Sequence, residues 1–486
     1  MSDGGRFHQV YRDTVLYPDF RFARLHLWKH FLDAMTAHVL TVRELNDPVV
    51  KAQGADIGDL LTAISTLRAE PLPEYQPDIP DLYFAFNDRL EAELGREPVG
   101  FLRMGLSRND LDMTVYKMRS RELLLSILAH LCRLREALQE QAQAHLETIL
   151  IAQTHHQPGQ PTTVAHYLGA IDNALARDTD RLLESYGRLN TCPLGAAALA
   201  GSSHRLDRHL TARLLGFDEP VPNTYDAVAS ADWQVEFMGC LQNVALNLSR
   251  FVCDLITWAT DGRLQLPDTL VQGSSIMPQK RNPVALEHAR TRLSRTLGSS
   301  QMVLYSNHNI PYTDLNDFGP DIQGALVSIF IQIDGALALL VVVLQEGRFD
   351  RCRLAELARC TDTIATELAD VLTRRIGMSF QDAHALAGAL VLKLCEENRE
   401  LQEATSDDLV ALGGPEIEAR VLRDALDPWI FVTRRSGFGG PAPEAMRSQL
   451  ERMTHHRERT LDRLSEIQTT LHEARARLAA SGREIE

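Results

Sequence analysis

The chain has 486 residues, too many for one ordinary core, and its 65 acidic against 50 basic residues give a formal charge of -15. That balance disfavours a general nucleic-acid or anionic-membrane binder and requires any anionic ligand to find a locally basic pocket. With 44% hydrophobic but only 6% aromatic residues, the composition fits a large Ala/Leu-rich helical protein, and the length makes two or three domains the expectation.

Residues 1–20 lack the basic-then-apolar order of a secretory signal. Helical periodicity follows over 22–43, 56–68 and 81–94, with a Pro-rich connector at 71–80, so 1–105 reads as an N-terminal helical domain. A polar knot at 103–110 ends in Ser107-Arg108-Asn109-Asp110, where Ser107 and Asp110 have capping-box spacing. The helix it starts is expected to run from 111 toward 152, since neither Gly nor Pro interrupts it; such length suggests a bundle of extended antiparallel helices.

A second knot, Gln153-Thr154-His155-His156-Gln157-Pro158-Gly159-Gln160-Pro161-Thr162, is expected to break that helix and open the next, with Pro161 in its first turn. Its paired histidines lack a third ligand at metal spacing, so no metal is expected. Further helices are expected at 233–259 and 283–305. Between them lies Gly273-Ser274-Ser275-Ile276-Met277-Pro278-Gln279-Lys280-Arg281-Asn282-Pro283. Gly, Ser and Pro exclude a helix interior here, and no apolar alternation supports a strand. The loop is expected to lead into a helix capped by Asn282, with Pro283 at its first position. Free backbone N–H groups, the helix dipole and Lys280 then make an anion site beside Ser274 and Ser275.

The apolar run 325–344 is long enough to raise the question of a membrane span, but Gln332, Asp334 and Gly335 interrupt it; a buried bundle helix is expected and no membrane. Residues 355–486 read as a C-terminal helical domain, with both charge signs mixed over 453–483 as on a solvated face. The seven cysteines are scattered without a CxxC, which argues against disulfides or zinc and for reduced thiols in the cytoplasm.

The 273–283 loop closely resembles the signature loop of the fumarase/aspartase superfamily, and its Met-Pro-Gln-Lys form is most similar to the argininosuccinate lyase branch. Thr154-His155 with Gln157-Pro158 resembles the superfamily's second conserved region, and Ser107-Arg108-Asn109-Asp110 the first region of that branch. The match continues through 193–201, 215–217, 223–232 and 434–443, covering essentially the whole chain. It implies an all-α subunit of three helical domains (1–105, 106–354, 355–486), whose long-helix bundles assemble into a homotetrameric twenty-helix core. It also implies shared active sites to which three subunits each contribute one region, a small dicarboxylate substrate and no cofactor.

The implied reaction is β-elimination from an N-substituted aspartate to give fumarate and an amine. The departing β-proton is weakly acidic, so the largest task is stabilising charge that spreads into the neighbouring carboxylate; Lys280, Asn282 and the loop amides are the right donors. A serine is a poor base unless cations and amides stabilise its alkoxide, a condition Ser274 beside Lys280 meets. The resemblance places the base on Ser274 and pairs His155 with Glu287. Whether His155 is the direct acid or only orients Thr154 and a water stays open. Ser107, Asn109 and Thr154 are assigned to the substrate carboxylates, with Arg108 adjacent; Gln157, Ser275 and Met277 complete the expected substrate contacts.

The departures from the branch pattern lie on one side of the chemistry. Arg103, Met104, Gly105 and Leu106 stand where His-Thr-Gly-Arg is the pattern. Asp314 and Gly319 replace a tyrosine and a glutamine, Ala231 replaces an arginine, and Phe31 and Met35 stand in the amine-binding element. A changed leaving group is therefore expected, with Asp314 a candidate partner for a cationic amine. Competing readings are an adenylosuccinate-type lyase, an inactive helical scaffold and a serine hydrolase; for the last, the strand–turn–helix around the serine is missing.

Overall fold

The structure, a computed structural model, describes residues 6–45 and 54–481. Its principal helices are α1 (Tyr17–His26), α2 (Trp28–Arg43), α3 (Gly54–Ala69), α4 (Leu82–Leu94), α5 (Arg108–Ala144), α6 (Val164–Leu189), α7 (Arg208–Leu215), α8 (Asp232–Thr260), α9 (Val284–Ser306), α10 (Pro320–Glu346), α11 (Phe380–Glu396) and α12 (Pro443–Ser481). The strands are short and two-stranded, so the fold is all-α.

Five long helices close a ring: α5 packs on α6, α6 on α8, α8 on α9, α9 on α10, and α10 back on α5. The sequence cause is an apolar stripe of helical period on each. On α6, Leu168, Leu175, Leu182 and Leu189 recur every seventh residue and are all buried. On α10 the stripe is Ile322, Leu326, Ile329, Ile333, Leu337, Leu340 and Leu344. Inside this frame Arg135 and Asp172 form a fully buried ion pair at 3.0 Å; Gln139 adds a hydrogen bond to the same carboxylate, fixing α5 against α6. Nearer the start of α5, Arg121 donates to Asn190 Oδ1 at 2.9 Å and to the Leu215 and Gly216 carbonyls, tying in the ends of α6 and α7.

Helix α5 starts as expected, with Ser107 and Asp110 forming a complete capping box, and its 37 residues span about 55 Å. It ends at Ala144 rather than near 152. The Ile149-Leu150-Ile151 run is β-prone, and it pairs with the second knot as an antiparallel hairpin, β1 (Ile149–Thr154) and β2 (Gln157–Thr163). Pro161 therefore lies in a strand opposite Ile151, and α6 opens three residues later, where Thr163 Oγ1 accepts the His166 N–H at 3.1 Å. The start of α9 differs in the same way. Asn282 is not its cap: it pairs with Gln272 in a two-residue ladder, and Pro283 takes the cap position.

Helix α10 is the described helix long and apolar enough to cross a membrane, and 44% of its most apolar window is buried within this chain. It is not the fully buried helix expected: its inner stripe packs on α5 and α9, while its outer face leaves Ile331 exposed.

Apolar packing forms one large cluster, from Phe20 to Leu354, and a separate cluster confined to 364–426. The last helix, α12, returns to the large cluster through Met446, Leu450, Leu464 and Leu471. Beside the small cluster, Glu367 is 1% exposed and holds Arg374, Arg434 and Arg435, each at 2.9 Å.

Candidate active site

At the first knot, Asp110 is fully buried and joins two distant segments. Its Oδ1 accepts the Ser107 N–H at 2.9 Å; its Oδ2 accepts the Gly195 and Ala197 N–H groups at 2.8 and 2.9 Å. This carboxylate fixes the 193–201 loop against the start of α5. It was seen in sequence only as half of a capping box, because bonds 85 and 87 residues away leave no local signal. The Ser107 hydroxyl donates to Asn109 Oδ1, and Arg108 is ion-paired with Asp81.

The second knot is the hairpin tip. Thr154 and Gln157 face each other across a two-residue turn made by His155 and His156, whose φ values are 54 and 61. Two successive left-handed residues define a type I′ turn, the turn whose twist suits a hairpin. Thr154, His155 and Gln157 are all exposed, and among the described residues their side chains have no hydrogen-bond partner.

The third group sits where a loop meets the start of α9. Gln272–Gly273 (β3) pairs antiparallel with Arg281–Asn282 (β4), so the seven residues between them form a closed loop. Arg281 ties its base down by donating to the Leu266 carbonyl at 2.7 Å and pairing with Asp268. Within the loop, Ser274 Oγ accepts two backbone N–H groups, from Ile276 at 3.2 Å and Met277 at 3.0 Å. Two amide dipoles aimed at one hydroxyl oxygen favour its alkoxide over its neutral form. Lys280 and Ser275 are exposed on the same loop, Met277 is 41% exposed, and Glu287 stands exposed in the first turn of α9.

The structure thus gathers Ser274, Ser275, Met277, Lys280, Asn282 and Glu287 at one loop–helix junction. It puts Arg108, Asn109 and Asp314 on the wall of one cavity, next to Ser107, and Thr154, His155 and Gln157 at the hairpin tip. That cavity is lined by neither the hairpin tip nor the signature loop. Among the described residues no cluster of three His, Cys, Asp or Glu is arranged to hold a metal. Among the described residues, no imidazole hydrogen-bonds to Ser274. Of the divergent positions, Phe31 and Gly319 line the cavity with Asp314; Met35 is buried in the core, and Ala231 precedes α8 without a side-chain cap.

Comparison with known proteins gives a consistent result. A lyase family model matches residues 29–298, and an argininosuccinate lyase C-terminal model matches residues 362–433. Argininosuccinate lyase 2 of Agrobacterium fabrum is 34% identical over 455 residues, covering 92% of this chain and 90% of that protein. The argininosuccinate lyase of Methanocorpusculum labreanum is 35% identical over 424 residues, covering 85% of this chain and 84% of that one. Among solved structures, an EDDS lyase variant with bound fumarate superposes with a TM-score of 0.85 at 28% identity, covering 100% of this chain and 97% of the other. With the signature loop, capping knot and hairpin in place along a sequence matched over this length, the chain belongs to the fumarase/aspartase superfamily, in its argininosuccinate lyase branch, and is a carbon–nitrogen lyase.

Proposed function

We propose that this lyase releases fumarate and an amine from an N-substituted aspartate by anti β-elimination, acting as a cytoplasmic homotetramer with shared active sites. The observation that carries this reading is the Ser274 hydroxyl, which accepts two loop amides on the same loop that presents Lys280. As the alkoxide, Ser274 takes the proton from the carbon next to the β-carboxylate. The electron pair spreads into that carboxylate, where Lys280, Asn282 and the N-terminus of α9 stabilise it. The pair then returns to form the double bond as the C–N bond breaks on the opposite face. There the nitrogen takes a proton from His155, or from a water held by His155 and Thr154, with Glu287 as the histidine's partner. An anti geometry needs base and acid on opposite faces of the substrate, which suits their placement on separate elements, loop and hairpin tip.

Ser107 and Asn109 are assigned to the remaining carboxylate, with Gln157, Ser275 and Met277 as further substrate contacts. Support for fumarate comes from the EDDS lyase structure, which holds it. Support for assembly comes from the outward apolar residues of α8–α10: Leu246, Met302, Tyr305 and Ile331 are all 47% or more exposed. For the three-part organisation, packing favours a C-terminal unit that ends before α12. The changed residues around Asp314 favour an amine other than the arginine of argininosuccinate. In a fumarate-absorbance assay, Ser274→Ala is expected to lower kcat by about 10²–10⁴-fold at unchanged oligomer size; full activity in that variant would remove Ser274 as the base.

A further inference from the structure

The cavity beside the first knot has a volume of about 200 Å³ and two unlike walls. One wall is apolar, with Leu16, Phe20 and Phe31, all buried. The other carries Asp19 from α1, Asp112 and Tyr116 one turn apart on α5, and Asp314 at the rim. The cation on its lining is Arg108, already ion-paired with Asp81. Tyr116 is 5% exposed, yet among the described residues its hydroxyl has no hydrogen-bond partner. That hydroxyl is not among the fully desolvated polar atoms, so it opens on the cavity and is free to pair with a ligand there.

The electrostatics agree with the geometry. Burial, then Asp321, pushes the Asp19 carboxyl up to about 6. Burial pushes Asp112 up to about 7, against the pull of Arg108 and with the help of Asp81, Asp314 and Asp110. Burial also raises Asp314, and Arg108, then Asn109, partly offset it. The Tyr116 hydroxyl is held well above the usual phenol range by burial and then by the nearby charges of Asp112, Asp19 and Asp314. The cavity carries more acid than its one arginine neutralises, and a positive charge is what it lacks. Among the described residues of this chain, its lining holds no Lys or Arg besides Arg108 for a carboxylate on the departing group.

We infer that this cavity is the leaving-group subsite, and that it takes a protonated amine on a hydrocarbon stem, a diamine rather than an amino acid. The charge is held by Asp112, Asp314 and the Tyr116 hydroxyl, and the stem lies against Phe20 and Phe31. The inference depends on the lyase reading above, because Asn109 is the residue shared by the cavity and the proposed carboxylate contacts.

The test runs the reaction in reverse, adding amines to fumarate, and pairs it with calorimetric binding of 1,4-diaminobutane to the full-length protein. The expected result is that 1,4-diaminobutane binds and adds to fumarate, while ornithine and arginine do so far less well. Asp112→Asn, Asp314→Asn and Tyr116→Phe should each raise the KM or Kd for the diamine by roughly ten- to a hundredfold, with the KM for fumarate unmoved. Asp314 lies at the rim, so its variant guards against a misfolded Asp112→Asn. Preferred addition of amino acids, absence of diamine binding, or variants with unchanged diamine affinity would overturn the subsite while leaving the lyase reading intact. If instead Ser274→Ala keeps full activity, the lyase reading itself fails.

Discussion

The signature loop and the cavity beside the first knot are opposites in construction. The loop is local: eleven consecutive residues, a two-residue ladder and backbone amides aimed at one serine oxygen, all favouring negative charge. The cavity is assembled from α1, α2, the start of α4, α5 and the 314–320 segment; its character comes from side chains, and on the inference above it favours positive charge. On the proposed mechanism, a substrate that is a dicarboxylate at one end and an amine at the other meets both. On that reading, the leaving amine can change while the reaction stays the same. Backbone donors survive side-chain substitution, whereas a cavity wall is rewritten by single residues such as Asp314, which is exposed.

Three experiments break or sharpen that comparison. The largest effect is expected from Arg135→Met, which leaves Asp172 buried without its charge partner and should cost about 3–5 kcal/mol in urea unfolding. If loop and cavity share one frame, binding of dicarboxylate and amine should weaken together as denaturant rises; loss of only one would show that they are independently supported. Next, Lys280→Met removes the loop's anion-facing charge and should lower kcat by about 10²–10³-fold with every amine alike. A loss that varied with the amine would mean Lys280 reads the leaving group as well.

The smallest effect is the pH response of the cavity. A cation is attracted only by ionised carboxylates, and Asp112, which shares the cavity lining with Asp19 and lies near Asp81, Asp110, Asp314 and Arg108, is pushed up to about 7 by burial. The KM for a diamine should therefore fall, by roughly tenfold, as pH rises between about 5 and 8. Stability has the opposite sign. A carboxyl raised in the folded state contributes stability below its unfolded value of 3.8, and that contribution is lost as pH rises through about 7. The ligand-free protein should then melt lower at the alkaline end of that range, with 1,4-diaminobutane restoring the difference; equal melting at both ends would show that Asp112 ionises freely.

Much of this was legible in the chain itself. The capping box at Ser107 and Asp110, the start of the long helix after it and the presence of a loop around Ser274 are signals carried by neighbouring residues. The early end of α5 was hidden because Glu147, Thr148 and Ile149 break no helical rule; the β-branched run wins only once β2 is there to pair with it. The Asn282 cap failed for the same reason, since Gln272 claims its backbone. Asp112 and Tyr116 looked like ordinary members of a helix. Only folding α1 and the 314–320 segment over them turns that helix face into a cavity wall.

The turn at His155 and His156 carries a further meaning. Left-handed backbone is uncomfortable for side chains with a β-carbon, by about 1–2 kcal/mol per residue, and Asn-Gly is the pair that relieves it. A protein engineer seeking heat resistance would make that swap first, and would remove the imidazole proposed above to protonate the leaving nitrogen. On that proposal, thermal robustness and turnover compete at this one corner.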